Sequence, residues 1–320
     1  MNIRLLAGES PIMEPVVSGE VKWTLERKGT PGKLTFTATA VQDEALKLEE
    51  GMPVALSVDG KNLFYGFIFT RKRGKDGTVS VTAYDQLRYL KNEDAVNYQD
   101  KTAGELIRML AEDFQLCCGE IADTGTVIKA YGEESVTLFD AILDALDETM
   151  QATGNLYILY DDFGRLTLQK AGDLKSSLLL DAETAEDYSY ISSIDSNTYN
   201  RVKLTYADKD AGKRSVFLTQ DSGNIGKWGV LQYHEDLSSK EGAAAKAEAL
   251  LSYYNRVVRK LTFKNALGDT SIRAGSTVGV SLRLDDLTLQ TYMMVEKVVH
   301  TFSDSSHLMD LKLIGGDFVG

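Results

Sequence analysis

Cysteine and proline are scarce in this sequence. Its 320 residues include two cysteines and four prolines, and no apolar run approaches the ~18 residues that a membrane-spanning helix needs. Cys117 and Cys118 are adjacent, where a disulfide would be strained, and two thiols cannot complete a zinc site. We therefore expect reduced thiols at the end of a helix, a reducing compartment and no membrane-spanning segment.

A secretory signal is also missing from the start of the sequence. Residues 1–19 carry acids and proline before any long apolar stretch, whereas a signal has basic residues followed by an apolar core. We expect the protein to be made and folded in a cytosol.

Positive charge is lacking in one part of the chain, and the net charge is −12. Basic and acidic residues number 13 and 13 in residues 1–95, 6 and 19 in residues 96–190, and 16 and 15 in residues 191–320. This distribution predicts three domains with these bounds. It argues against nucleic-acid binding, which needs a basic face, although solubility alone would also account for an acidic middle segment.

Motifs for catalysis, cofactors and metals are missing. The sequence has no Gly-x-Ser-x-Gly, His-Glu-x-x-His, Cys-x-x-Cys or Walker motif. Residues 223–227, Gly-Asn-Ile-Gly-Lys, are similar to a phosphate-binding loop but have the wrong spacing, so we interpret them as an ordinary loop. We predict no catalytic residue, no cofactor-binding residue, no metal ligand and no cofactor.

Two histidines lie near serines and an aspartate. His300 and His307 flank Ser303-Asp304-Ser305-Ser306, so the residue types of a Ser-His-Asp triad occur together. A triad takes its members from distant elements on a rigid frame, whereas these residues are neighbours in the sequence. The run therefore predicts a polar hairpin turn.

Two pairs of adjacent acids and one basic cluster also stand out in the sequence. Asp161-Asp162 and Asp285-Asp286 have the two carboxylates that glycoside hydrolysis uses, but they lie beside turn residues, where acids usually accept local backbone hydrogen bonds. Arg71-Lys72-Arg73 and Lys75 form the basic cluster. Without interleaved aromatics for stacking bases, it predicts a hairpin loop that is solvated or forms salt bridges to a partner.

The first and third segments have the period-two pattern of strands with one buried face. In the first, the alternating apolar residues are Val21, Trp23 and Leu25, then Leu34, Phe36 and Ala38, then Val54, Leu56 and Val58. Turn signals such as Asp59-Gly60 separate the runs. Short antiparallel strands at this spacing indicate a barrel or sandwich.

The second segment changes to a helical period. Thr102-Ala-Gly-Glu105 is a capping box, and Thr137-Leu-Phe-Asp140 begins a second helix. Residues 156–168 predict a β-hairpin with its turn at 161–165. The segment is therefore predicted to be a small α+β domain. Around the polar side of the second helix lie Asp140, Asp144, Asp147 and Glu148.

The third segment contains one predicted helix, residues 241–258, capped by Ser238 to Glu241. Its strands include a weak echo of the first segment. Residues 51–58, Gly-Met-Pro-Val-Ala-Leu-Ser-Val, match residues 275–282, Gly-Ser-Thr-Val-Gly-Val-Ser-Leu. In both, a glycine precedes a strand of period two, and a long apolar strand and a short closing strand follow. The alternative is two unrelated β domains that obey the same pleat rule.

The order of these elements resembles the baseplate hub proteins of contractile phage tails, the late-control-D and XkdQ-like group. The residues that carry the resemblance extend along most of the chain. They are Val21–Trp23, Pro31–Leu34, Gly51–Val54, Tyr65–Ile68, Val81–Leu87, Asn200–Val202, Trp228–Leu231, the helix 241–258 and Tyr292–His300.

The resemblance implies a fold and an assembly. The fold is a β-rich α+β chain in which two similar antiparallel barrels of the tail-tube type are joined by a small α+β domain. Such hubs are homotrimers, so six similar domains face a hexameric tail tube and a threefold end seats the central spike. Other baseplate proteins are further partners, and DNA at most passes through the lumen without specific binding. Assembly is implied in the bacterial cytoplasm, for a virion baseplate or a tail-like particle.

Two alternatives remain from the residues alone. A tail-tip peptidoglycan hydrolase would use an acid such as Asp161. A carbohydrate-binding or cell-surface-binding β module would use tyrosines and an exposed Trp23. The acidic middle segment could line a channel or form an outer rim.

Overall fold

The computed structural model describes residues 1–9, 12–39, 48–195, 197–208, 212–237, 239–284 and 288–315. Strands predominate in this part of the chain, and helices occupy its middle and one insertion. The predicted fold class, a β-rich α+β chain of several units, is confirmed. Asp285-Asp286 and Ser238, named above as candidates, lie outside the described residues.

The first β unit follows the predicted alternation. Its strands are β1 (Ile3–Ala7), β2 (Val21–Glu26), β3 (Lys33–Thr39), β4 (Pro53–Val58), β5 (Lys61–Arg73) and β6 (Thr78–Tyr84). In β3 and β4 every second side chain is buried, as one apolar face of a strand requires. Asp59-Gly60 connects β4 and β5 with positive φ at both residues, the conformation of a type I′ hairpin turn.

The first β unit closes on itself through a short segment. Met13 pairs with Ala7 of β1, and Val17 pairs with Ala38 of β3. The segment between them therefore connects the edge strand β1 to the end of β3 that β2 does not cover, which gives a barrel-like unit around a single apolar core.

The middle unit contains the predicted helices. Its elements are β7 (Glu93–Thr102), α1 (Ala103–Asp113), β8 (Cys118–Ile121), β9 (Val127–Thr137), α2 (Leu138–Thr153), β10 (Tyr157–Asp161) and β11 (Leu166–Lys170). The capping box at Thr102 and Glu105 is confirmed, and Thr137 caps α2. The predicted hairpin is β10–β11. The pairing of β7 with β9 was not predicted, because their exposed residues follow no clear period.

The rest of the chain forms a second β unit with an insertion. In chain order the elements are β12 (Lys175–Leu180), β13 (Asp187–Ser193), β14 (Arg201–Asp208), β15 (Lys213–Gln220), α3 (Ser222–Trp228), β16 (Gln232–Leu237), α4 (Ala243–Tyr254), β17 (Val258–Leu267), β18 (Thr277–Arg283), β19 (Thr288–Phe302) and β20 (His307–Gly315). Strands β14, β15 and β16 form their own sheet, and α4 packs on it through Ala247 and Leu250. The other strands belong to the second β unit.

The strand order of the first β unit recurs in the second. The first has the order β1-β4-β5-β6-β3-β2, and the second has β12-β18-β19-β20-β17-β13. Numbered by position along the chain within each unit, both orders read 1-4-5-6-3-2. One difference is that β1 is antiparallel to β4 whereas β12 is parallel to β18. Through β2 and β19 the two units join in a continuous sheet, which has twelve strands among the described residues.

A bulge recurs at the same place in both units. Between β5 and β6 the register shifts between Ile68 and Thr70, and between β19 and β20 it shifts between Val295 and Lys297. An extra residue in one strand increases the local twist of the sheet. The weak sequence echo therefore corresponds to a repeat of strand order and of an irregularity within it.

Two local predictions for the last segment are wrong. The helix is α4, shorter than 241–258: it begins after Gly242, which has positive φ and no side-chain cap, and Val258 already begins β17. Residues 223–227 lie in helix α3, capped by Asp221, instead of in a loop. Strand β19 is continuous through Glu296, because the bulge there interrupts the alternation without ending the pairing.

Candidate functional site

The junction of the two β units is the place where the repeat becomes one sheet. Strand β2 pairs antiparallel with the second half of β19, in a register that sets Val21 opposite Phe302, Trp23 opposite His300 and Glu26 opposite Lys297. Phe302 belongs to the core of the first unit although it comes from the second. Each unit therefore completes the packing of the other.

An aromatic cluster lies at the centre of this junction. The Trp23 and His300 rings stack with centroids 5.0 Å apart, and Phe302 stacks on His307 at 4.3 Å. His300 Nε2 lies 2.9 Å from the carbonyl oxygen of Ile272, which can only accept, so this nitrogen carries a proton. His300 Nδ1 then accepts from His307 Nε2, 2.9 Å away. Both imidazoles are neutral in this chain of bonds.

Burial sets the charge state of these histidines. Loss of water and, to a smaller extent, the neighbouring His307 lower the pKa of His300 to about 3. The pKa of His307 is also lowered, chiefly by its own burial. The pair is therefore suited to holding the junction together as uncharged hydrogen-bonding groups.

The predicted polar turn between these histidines is confirmed. Ser303 Oγ lies 2.7 Å from Ser306 Oγ and accepts the backbone N–H of Ser306, so its contacts are within the turn. Asp304 is exposed. The structure brings the two imidazoles together but gives Ser303 no hydrogen bond to either of them among the described contacts.

Ion pairs border the aromatic cluster on the same two strands. The Arg27 guanidinium Nε lies 2.7 Å from Glu296 Oε2, and the Arg27 side chain is 10% exposed. Lys297 pairs with Glu26 directly across the β2–β19 register. Glu296 is the bulge residue of β19, so the irregularity of the strand turns its carboxylate toward the first unit.

Buried polar groups from all three units lie near enough to influence one another's charge, and we call this cluster the three-unit contact. Asp85, at the end of the first unit, accepts the backbone N–H groups of Gly32 and Leu87. Asp161, on the middle-unit hairpin, accepts the N–H of Gly164 at 2.7 Å. Arg273, from the second unit, lies with its guanidinium 3.8 Å from the centroid of the Tyr160 ring.

The acids of this contact have raised pKa values. Burial raises the pKa of Asp85 well above its usual value, and the charge of Asp161 raises it further. Burial raises the pKa of Asp161 to about 6, against the opposing effect of its hydrogen bond from Gly164. Asp161 Oδ2 and Arg273 Nη1 are buried without hydrogen-bond partners among the described residues. The sequence predicted the turn bond of Asp161 but not the contact with Asp85 and Arg273, which no local pattern signals.

The other sequence candidates are dispersed. Arg71 to Arg73 lie in strand β5 and not in a loop, although Lys75 is in the following turn. Arg71 pairs with Glu50 at 3.0 Å and donates to the carbonyl oxygen of Leu48 at 2.7 Å. Cys117 and Cys118 are free, and they lie past the end of α1, where Cys118 begins β8.

Two further expectations concern surfaces. The prediction that Trp23 is exposed is wrong, since its side chain is 3% exposed against the core of the first unit. Two acids of α2 bind other residues of the chain. Asp144 accepts a hydrogen bond from Tyr131 Oη at 3.0 Å, and Asp147 forms an ion pair with Lys28 at 3.2 Å. Burial raises the pKa of Asp144 and of Glu148.

An open cleft of about 470 Å³ lies beside the three-unit contact. Its wall includes Trp23, Lys61, Tyr160, Asp162 and Arg273. Within the described residues no group of histidines, cysteines and acids is arranged to hold a metal ion. No helix in the same part of the chain is both long and apolar enough to cross a membrane.

Comparison with known proteins assigns the chain to a family. A family model described as YqbQ-like matches residues 21–314. The chain belongs to the YqbQ-like family. YqbQ of Bacillus subtilis (strain 168) is 32% identical over 273 residues, which cover 83% of this chain and 82% of YqbQ. XkdQ, a phage-like element PBSX protein of the same organism, is 30% identical over 273 residues with the same two shares.

A solved structure has the same fold as this YqbQ-like chain. The 43 kDa tail protein of prophage MuSo2 from Shewanella oneidensis aligns with a TM-score of 0.74 over 100% of each chain, at 16% identity. At that identity the likeness concerns the fold alone. The resemblance to the XkdQ-like group, stated from the sequence, is confirmed.

Proposed function

We propose that this YqbQ-like chain is a structural, non-enzymatic hub of a phage-tail baseplate or of a tail-like particle. The observation that carries the proposal is the repeat of strand order 1-4-5-6-3-2 in one polypeptide. Three copies of a chain with two similar units present six similar units, which is the arrangement needed to meet a sixfold tube while keeping a threefold end for a spike.

The relatives support the tail assignment. XkdQ is a protein of a phage-like element, and the MuSo2 protein is a prophage tail protein. From them and from the repeat we infer these partners: two further copies of this chain, a tail tube protein, a central spike protein and other baseplate proteins. Assembly takes place in the bacterial cytoplasm, and the assembled protein is part of the particle's tail. DNA, if the particle carries any, passes through without specific binding.

We also propose a division into parts that matches this function. The ranges 1–95, 96–190 and 191–320 contain the first β unit, the middle unit and most of the second β unit with its insertion. Strand β12 and most of β13 lie before residue 191 but belong to the second β unit, because they pair with β18 and β17. The two β units carry the resemblance to tail-tube domains.

The experiment that tests the proposal is to image the particle and count its subunits. Particles purified from a host that carries this gene with a C-terminal peptide tag are examined by electron microscopy with a tag antibody, and the copies per particle are counted by quantitative mass spectrometry. We expect label at one end of the tube and three copies per particle. Label along the tube, or six copies, would contradict the hub role.

A further inference from the structure

Strand β13 leaves a bare edge on the second β unit. It pairs with β17 on one side and, among the described strands, with none on the other. After the exposed Asp187 at its beginning, β13 continues as Tyr-Ser-Tyr-Ile-Ser-Ser over residues 188–193 with no charge and no proline, and the Ile191 side chain is 55% exposed. Sheet edges that remain free are usually protected by charge, proline or a bulge, so an unprotected edge of this kind is a template for another strand.

Strand β5 leaves a complementary edge on the first β unit. Its first half pairs with β4 as far as Phe67. Thr70 to Arg73 continue past the end of β4 and pair on one side with β6, while no described strand occupies their other side. In the second unit the corresponding half of β19 is not bare, because β2 pairs with it.

The repeat fixes which residues correspond. The bulges align Thr70 with Lys297, so Arg73 corresponds to His300. Trp23 pairs with Leu34, which pairs with Ala83, and Tyr190 pairs with Leu261, which pairs with Leu313. Tyr190 of β13 therefore corresponds to Trp23 of β2.

We propose that β13 of one chain pairs antiparallel with the Thr70–Arg73 segment of a second copy, repeating between chains the β2–β19 junction that exists within each chain. The register copied from that junction sets Thr70 opposite Ser193, Arg71 opposite Ser192, Lys72 opposite Ile191 and Arg73 opposite Tyr190. This inference rests on the proposed function, since it specifies the contact between neighbouring hub subunits.

Charge supports the same pairing. Lys72, Arg73 and Lys75 are exposed at the end of β5 and in its turn. In an antiparallel pair the end of β5 faces the beginning of β13, which is where Glu186 and Asp187 lie. Basic residues on one edge therefore meet acids on the other. This attraction favours the antiparallel orientation of the two strands over the parallel one and steers the two chains together.

The contact joins different surfaces of two identical chains, so each chain keeps one free edge to offer to the next. Such heterologous contacts propagate until a ring closes. Within a chain the junction joins the first β unit to the second β unit. Between chains the same kind of junction joins the second β unit of one chain to the first β unit of the next chain. Six units in a ring then require three chains and leave neither edge unpaired.

Disulfide trapping in the full chain tests the register. In a Cys117→Ser, Cys118→Ser background, the pair Lys72→Cys with Ile191→Cys places thiols on directly opposed residues, within reach of a disulfide. The matched control pairs Lys72→Cys with Ser189→Cys. Ser189 lies on the same face as Ile191 but two residues before it, so its Cβ atom is too far from that of residue 72 for a disulfide. After mild oxidation we expect dimers and trimers on non-reducing gels for the first pair and at least tenfold less for the control.

Absence of crosslinks in the first pair, or equal crosslinking in both pairs, would overturn the inference. A variant that tests it without oxidation is Ile191→Lys, which adds a charge to an exposed edge position. We expect unchanged melting of the chain and at least tenfold weaker self-association by analytical ultracentrifugation. Unchanged self-association would overturn the edge pairing.

The same measurements separate this inference from the proposed function. A trimer by mass that shows no Lys72–Ile191 crosslink overturns the edge contact and leaves the hub role standing. A specific crosslink that gives species larger than a trimer on the gel supports the edge contact and contradicts the three-membered hub.

Discussion

Gly51 and Gly275 occupy equivalent positions in the two β units. Each has a positive φ, 82° and 92°, before a strand. Gly51 donates its N–H to the carbonyl oxygen of Ile68 at 2.7 Å, and Gly275 donates to that of Val295 at 2.8 Å. The repeat thus extends from strand order to the hydrogen bonds of single residues, which is what an ancestral duplication of the unit would leave.

Alanine at these two glycines should have unequal effects. Both changes place a side chain at positive φ, which costs about 1–2 kcal/mol. At Gly51 nothing else lies near a new Cβ, whereas at Gly275 it would lie 2.6 Å from Cγ2 of Ile158 in the middle unit. We expect a lower free energy of unfolding in urea for both, with the larger loss for Gly275→Ala. Gly172→Ala, in open space without positive φ, is the control, and an equal loss at all three positions would contradict the argument.

The Arg27–Glu296 pair should couple the two β units energetically. A double-mutant cycle with Arg27→Met and Glu296→Gln is expected to give a coupling free energy of about 1 kcal/mol, since Arg27 is largely buried. The Lys129–Glu241 pair, with both side chains 79% exposed, serves as the control and should couple by less than about 0.5 kcal/mol. Equal coupling free energies for the two pairs, measured by urea unfolding, would contradict this expectation.

Acid should weaken the chain through His300. Its pKa is about 3 in the folded chain and higher when unfolded, so the unfolded state binds more protons between these values. The free energy of unfolding should therefore fall as the pH decreases from about 6.5 toward 3, by up to about 1.4 kcal/mol per pH unit from this group.

His300→Gln tests that dependence. We expect a less stable chain at pH 7, because the stacking on Trp23 is lost, together with a shallower decline toward acid. His234→Gln, at an exposed position, is the control. An acid slope that His300→Gln leaves unchanged would show that other groups cause it.

Asp161 should act in the opposite direction. Its pKa is about 6 in the folded chain and lower when unfolded, so the folded state binds more protons between these values. Its contribution to stability therefore falls as the pH rises from about 4 to about 6. The groups around it are Asp85, Arg273, Asp162 and Gln86.

Asp161→Asn should raise the free energy of unfolding at pH 7 by about 1 kcal/mol, because an amide still accepts from Gly164 without the cost of a buried charge. Asp162→Asn, at the exposed neighbour, should change it little. Thermal unfolding between pH 4 and pH 8 measures both, and a destabilised Asp161→Asn would mean that the ionised carboxylate is required by Arg273.

Local structure was the part most open to prediction from sequence. The capping box at Thr102 and Glu105 was predictable because both partners lie within one helical turn. The turn Asp59-Gly60 was predictable because its conformation requires these residue types. The extent of α4 was not: Val258 continues the apolar period of the helix, but it pairs in β17, where tertiary contact overrides the pattern.

The candidate site is formed by residues that are far apart in the sequence, so no local pattern could predict it. Asp85, Asp161 and Arg273 come from three units, so nothing in their neighbours indicates that they meet. The alternation of β2 places Trp23 on the buried face of the strand, and only the surface-binding alternative required it to be exposed. The partner that covers it, His300, is on the other β unit.

The sequence by itself determined the strand and helix periods, the caps of α1 and α2, the tight turns and the weak repeat between residues 51–58 and 275–282, because each depends on residues close together in the chain. The tertiary structure alone decided that β2 pairs with β19, that His300 is buried and neutral, and that two sheet edges have no partner among the described strands. Lys297 and Glu26 are 271 residues apart, and such contacts are selected by the fit of whole sheets.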